Sequence, residues 1–149
     1  MKLINLKPPH IALLFLGLSV GLHFLLPAAY RHQFSCWVCG LAAVGLGFGL
    51  IMWAWFLFRQ SGTPIRPTDR ATAIVSSGPF RFSRNPMYLG IVVILLGIAV
   101  WVGSLPMLIA PAGFFAFMSL VFIPYEEQRL REAFGDDYVS YTQKVRRWI

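Results

Sequence analysis

Four apolar runs, separated by polar stretches, dominate the chain. The first extends from His10 to Ala29 with no charged residue inside it, and the second from about Cys36 to Phe58. The third begins at Pro86 and ends near Val102, and the fourth occupies 105–123. A helix crossing hydrocarbon needs about 20 residues, and each run is close to that length. Gly103-Ser104 leaves room only for a tight helical hairpin between the last two. The pattern predicts an all-α membrane protein forming a single domain over 1–149, with about four transmembrane helices at 10–29, 36–58, 86–102 and 105–123. A cytoplasmic loop joins the middle helices. After Pro124 the apolar positions Leu130, Phe134, Tyr138, Tyr141 and Val145 recur every three to four residues between charges, the signature of a C-terminal amphipathic helix. Gly135 is its expected break. The tail is expected to lie along the membrane face, with Trp148 at headgroup level.

Composition supports lipid as the solvent. Hydrophobic residues make up 57% of the chain and charged residues 13%, about half the charged share of a soluble domain. A chain of 149 residues has no core large enough to hide that apolar surface from water. The first run is too long, and its Leu26-Pro27-Ala28-Ala29 end too poor a cleavage site, for a signal peptide. The net charge of +7 is clustered at the N-terminus, in the middle stretch and in the tail, with Arg31 alone elsewhere. Four crossings put those clusters on one side. By the positive-inside rule that side is the cytoplasm, with both termini there; a bacterial inner membrane is the expected location. No motif for reading nucleic acid accompanies the charge, so no nucleic-acid partner is expected.

Several features admit a bland reading beside a functional one. Gly17 with Gly21, and Gly45 with Gly49, stand four apart and are expected to let helix backbones approach closely in lipid. Gly45 to Gly49 also echoes a dinucleotide fingerprint but has no strand before it. Cys36 and Cys39 form a lone CxxC; without a second ligand pair it gives no metal site, and it reads as the start of a helix. His23 is either a hydrogen-bonded structural residue or the lining of a cavity.

The chemistry concentrates in the half from 61 to 149. Between Ser77 and Gly90 the chain reads Ser-Gly-Pro-Phe-Arg-x-x-Arg-Asn-Pro-x-Tyr-x-Gly. Two prolines and a glycine fix the backbone, and Pro86 suits the first turn of a helix. The helix N-terminus and nearby arginines attract anions. Glu126 and Glu127 follow where the fourth run leaves the bilayer. Adjacent helical residues point about 100° apart, so one carboxylate can face a ligand while the other pairs along the helix, as Glu127 with Arg131.

These segments, together with Phe134-Gly135-x-x-Tyr138-x-x-Tyr141 and Val145-x-Arg147, resemble the isoprenylcysteine carboxyl methyltransferase and phospholipid methyltransferase superfamily of integral membrane enzymes. The resemblance implies an S-adenosyl-L-methionine cofactor, released as S-adenosyl-L-homocysteine, and a lipid or other apolar methyl acceptor, with no metal. It implies that Thr72, Ala73, Ile74 and Val75 line the cofactor pocket. Phe80, Arg84, Asn85, Pro86, Met87, Tyr88, Glu126 and Glu127 complete the implied cofactor set. Arg84 or Arg81 would hold the cofactor's carboxylate, Glu126 its amino or hydroxyl groups, and Tyr88 would shape the methyl end. Asn85 stands where relatives carry histidine, so no base is assigned there. Phe122, Ile123 and Pro124 stand where prenylcysteine enzymes carry an arginine, which disfavours a prenylcysteine acceptor. The acceptor is expected to enter laterally past Trp53, Trp55, Met87, Leu89, Trp101, Met107, Phe114, Phe115 and Met118. The alternatives are a non-enzymatic membrane bundle that keeps the fold, and a sterol-reductase-like NADPH enzyme.

Overall fold

A computed structural model describes residues 7–31, 33–62 and 74–149. Two of the implied cofactor residues, Thr72 and Ala73, lie outside them. The described residues are helical, with no strand among them. Helix α1 spans Pro8–Leu25, α2 Trp37–Gln60 and α3 Pro86–Val102. A 3-10 turn at Leu105–Leu108 leads into α4, Ile109–Phe117, and a π-helical turn at Met118–Phe122 passes directly into α5, Ile123–Phe134. Helix α6, Asp136–Lys144, follows Gly135. Among the described residues, three stretches are long and apolar enough to cross a membrane: Pro8–Leu25, Trp37–Gln60 and Leu105–Phe134. The fourth expected span, α3, has only 17 residues.

Local chemistry explains the ends. Pro8 and Pro86 occupy first-turn positions, where a missing N–H costs nothing. Helix α3 stops at Gly103, whose φ is +69°, and a Cβ there would lie 2.4 Å from the Ser35 nitrogen. No other residue fits that corner. Cys36 caps α2, its sulfur accepting from the Cys39 N–H, and the two cysteines are joined as a disulfide. Arg31 donates to the carbonyls of Phe24 and Leu26 at 2.8 and 3.2 Å, taking up acceptors at the α1 exit.

Helices α2 and α3 form the tightest antiparallel pair. The glycines responsible are not those expected. A Cβ on Gly17, Gly21, Gly45 or Gly49 would meet nothing within 4 Å, so these positions open outward. Gly40, Gly47, Gly90 and Gly97 make the contact instead: Gly40 faces the Gly97 carbonyl at 2.7 Å from an added Cβ, and Gly47 faces that of Gly90 at 2.6 Å. Their seven-residue spacing keeps a smooth seam on one face of each helix. Carrying that register on sets Pro86 opposite Ile51, consistent with Ile51 lying against Gly90. Nine residues of α2, 52–60, therefore run on past the start of α3.

The core joins α1 to the α4–α5 rod. Ile11, Ala12, Leu95, Ala110, Phe114, Met118, Phe122 and Ile123 pack together. Large side chains elsewhere face outward, among them Leu14, Leu25 and Leu46 at 67%, 83% and 73% exposure. Such faces suit lipid, not water. At one end of the bundle lie the α1 exit, Cys36 and Gly103. There His23 Nδ1 meets the buried Ser104 hydroxyl at 2.8 Å, so His23 is a fastener between α1 and the α3–α4 corner. The other end carries the 74–85 loop, α5, α6 and the tail. Among the described residues, Arg31 is the one basic side chain at the first end apart from His23.

The tail departs from expectation. The polar helix after Pro124 continues the α4 rod and does not turn onto the membrane face; only α6, beyond Gly135, changes direction. Pro124 has no N–H to give, and the π turn just before it absorbs the mismatch, the Ile123 N–H reaching back to Met118.

Candidate functional site

The loop entering α3 is held from both sides. Gly78, at φ +55°, lies against α2, where a Cβ would come within 2.5 Å of Leu57 Cδ1. That lets Pro79 and Phe80 bury, and the Phe80 ring packs edge-on against Phe58 at 5.1 Å. The buried Ser83 hydroxyl accepts from the Asn85 N–H at 3.1 Å. The Arg84 N–H donates to the Arg146 carbonyl at 3.0 Å, and Asn85 Nδ2 donates to the Arg147 carbonyl at 2.9 Å. Pro86 then starts α3, placing Tyr88 in its first turn.

Across from this turn, α5 presents its two glutamates to different partners. Tyr88 donates its hydroxyl hydrogen to Glu126 Oε1 at 2.7 Å. Glu127 is 7% exposed and sits between two guanidinium groups. Arg147 binds it through Nε at 3.0 Å and Nη2 at 2.7 Å, and Arg84 Nη2 lies 3.1 Å away. Glu127 thus pairs with Arg147 and Arg84, not with Arg131 as its spacing suggested. The hydrogen bond to Glu127 holds the Arg147 pKa above its ordinary value. Arg84, expected to meet the cofactor's carboxylate, is committed to Glu127, although its buried Nε has no hydrogen-bond partner.

The C-terminal residues complete the arrangement. After α6 the chain turns back at the buried Val145 and runs between the loop and α5. Trp148 stacks on Phe115 at 4.6 Å and donates to the Ser119 hydroxyl, in the π turn, at 3.1 Å. It therefore folds into the bundle. Tyr141 donates to the Phe80 carbonyl at 2.7 Å, and burial pushes its hydroxyl pKa up to about 12.

The implied cofactor residues thus fall into separate groups. Tyr88 and Glu126 meet across a seam between α3 and α5, while Phe80, Asn85 and Glu127 hold neighbouring elements in place. Ile74 and Val75 line an open cleft of about 340 Å³ with Leu57, Gln60, Ser61, Ser76 and Ser77. A second cleft of about 260 Å³ lies between Ile74, Ser76 and the α6 residues Asp137, Ser140, Tyr141 and Lys144. Sequence reasoning did not single out Asp137, Ser140 or Lys144 as lining a site, and read Tyr141 as an apolar position of an amphipathic helix and part of the family pattern. Only the partner-loop geometry singles them out. Of the expected acceptor path, Met107, Phe114 and Met118 are at most 3% exposed and fill the core, so they line no channel. Trp53 and Trp101 are about half exposed, at 53% and 49%.

Apolar helices with a compact polar seam at one end, and open clefts beside Ile74 that Tyr88 and Glu126 do not line, define an integral membrane protein. The sequence model of the phospholipid methyltransferase family matches residues 35–137, and the chain belongs to that family. It is 35% identical over 79 residues to a protein-S-isoprenylcysteine O-methyltransferase B of Arabidopsis thaliana, a match covering 48% of this chain and 36% of that one. It is also 38% identical over 63 residues, 42% of this chain, to the whole of an uncharacterized protein of Haemophilus influenzae. No solved structure matches. The family points to membrane methyltransferase activity, and its methyltransferases generally use S-adenosylmethionine.

Proposed function

We propose that the protein transfers the methyl group of S-adenosyl-L-methionine to a lipophilic acceptor, a lipid amine, thiol or carboxylate, at the membrane face carrying the 74–85 loop and the tail. The observation that carries this reading is the 2.7 Å bond between Tyr88 and Glu126, 38 residues apart, which joins the two segments that the family resemblance marks for the cofactor. The chemistry of the residues present suits that group if the seam and the clefts, which Tyr88 and Glu126 do not line, act as adjoining parts of one site. A carboxylate at Glu126 complements a cation, and the clefts beside Ile74 offer Asp137 and Ser140 to hydroxyls and Lys144 to a carboxylate.

When bound, the cofactor supplies a methyl carbon on a positively charged sulfur, open to in-line attack by the acceptor. The chain's part is positioning. Glu126, kept in one orientation by Tyr88, would hold the cationic end, while Ile74, Val75 and the wall of α2 would enclose the remainder. The packed core of Phe114, Met118 and Phe122 keeps water from the lipid side. Orientation of this kind supplies up to about 7–11 kcal/mol of a bimolecular barrier. We further propose that this face is cytoplasmic, from the excess of basic residues at that end.

Methyl-labelled S-adenosylmethionine incubated with the purified protein and a total lipid extract should yield a labelled, chloroform-soluble product. Binding of NADPH without S-adenosylhomocysteine would favour the reductase alternative, and binding of neither a non-enzymatic bundle.

A further inference from the structure

The seam has a fastening that its two proposed ligand-facing residues do not supply. Helix α3 packs chiefly against α2 and α4, and its first turn meets the start of α5 through Tyr88, which bonds Glu126 and packs edge-on against Phe122. A further crossing is made by the tail. The carbonyls of Arg146 and Arg147 accept from the Arg84 N–H and from Asn85 Nδ2 on the α3 side. The Arg147 side chain grips Glu127 on the α5 side with two parallel bonds. One residue, Arg147, thus touches both walls. Further along, Trp148 is pinned to Ser119 and Phe115, which stops the tail from sliding.

We propose that Arg147 is a positioning residue, the clasp of a C-terminal strap that sets the spacing of Tyr88 and Glu126 and so the affinity for the cofactor. The inference rests on the reading of those two residues as cofactor-facing. Glu126 and Glu127 are consecutive on one rigid helix, so any roll of α5 that unseats Glu127 from Arg147 swings Glu126 away from Tyr88. A guanidinium fork fixes both distance and plane, which a point charge cannot do. Arg84 adds charge from the other wall through a single nitrogen at 3.1 Å, without that constraint.

The test is titration of the full chain, purified in detergent, with S-adenosylhomocysteine, alongside methyl transfer. Arg147→Ala should weaken cofactor binding about ten-fold or more, since small misplacements at a reacting centre carry large penalties. It should leave the acceptor KM unchanged. Arg147→Lys, which keeps the charge but not the fork, should restore only part of the affinity. His23→Leu, which breaks the fastening to Ser104 at the opposite end, should lower thermal stability and leave affinity intact. If wild-type protein binds but Arg147→Ala binds equally well, the strap inference fails and the proposed function stands. If His23→Leu loses affinity in step with stability as Arg147→Ala does, Arg147 is merely structural and the inference also fails. A wild-type chain that binds no cofactor overturns both.

Discussion

Glu127 shows how much depends on a single side chain. It is one buried carboxylate between two guanidinium groups, Arg84 mostly buried and Arg147 partly exposed, so removing it leaves like charges facing each other. Leaving buried donors unpaired costs about 1–3 kcal/mol, and water at the partly exposed Arg147 relieves some of the repulsion, so Glu127→Ala should lower the melting temperature measurably in detergent. Glu126→Gln keeps the shape and a hydrogen bond to Tyr88, so it should leave the fold intact and weaken S-adenosylhomocysteine binding; unchanged affinity by calorimetry would remove Glu126 from the site. Tyr141 gives a pH signature. Its folded pKa is raised from 10.0 to about 12, so the neutral hydroxyl bonded to Phe80 is the stabilised form. The associated stability is complete below pH 10 and is lost as pH rises through about 12. Tyr141→Phe should reduce the alkaline decline without changing the stability profile between pH 7 and 9; part of the decline should remain, because burial raises the Tyr138 hydroxyl in the same direction. The residue types of this site could be read from the sequence, because their order along the chain is distinctive. Their division of labour could not. Which of two adjacent glutamates turns inward depends on where a tail 20 residues later returns.

Among the elements, the glycine seam between α2 and α3 makes the sharpest contrast. Gly97→Ala places a Cβ 2.7 Å from the Gly40 carbonyl, and backbone cannot move aside as a flexible side chain can. Overpacking of this kind costs about 1–3 kcal/mol. Gly45→Ala and Gly49→Ala meet open space and should be neutral or stabilising by up to about 1 kcal/mol, through helix propensity. Unfolding in mixed detergent micelles distinguishes the two sets. Sequence spacing alone favoured the wrong pairs, since four-residue and seven-residue repeats both place glycines on one helix face. The decision came from the partner helix, where Gly90 and Gly97 mirror Gly47 and Gly40. Helix limits were better specified, as prolines and Gly103 mark them chemically. The continuity of α4 into α5 was not, because Pro124 ordinarily signals a break and the π turn carries the helix through it.

For the whole molecule, apolar run length and charge clustering were enough to give an all-helical membrane protein. Both are one-dimensional properties that lipid imposes directly. The orientation we propose is checked by single cysteines introduced at Gln33 and Gln143 in a variant lacking Cys36 and Cys39. A membrane-impermeant thiol reagent added to intact cells should label position 33 and miss position 143. The reverse pattern would invert the assignment. The proposed acceptor route is legible only in part. Sequence can nominate large apolar residues, but burial alone tells those that fill the core, such as Phe114 and Met118, from those left at the surface, such as Trp101.

The offset between α2 and α3 bears on the bilayer itself. At about 1.5 Å per residue, α2 overhangs the start of α3 by roughly 13 Å, and α3 spans about 25 Å against a hydrocarbon thickness of about 30 Å. The 78–81 turn packs on Leu57 and Phe58 and covers part of the overhang, so the notch lies along the shorter α3 itself, where lipid must thin or tilt. A membrane of shorter acyl chains meets less mismatch at the notch, so catalytic turnover in reconstituted vesicles should depend on bilayer thickness even when acceptor concentration is held constant.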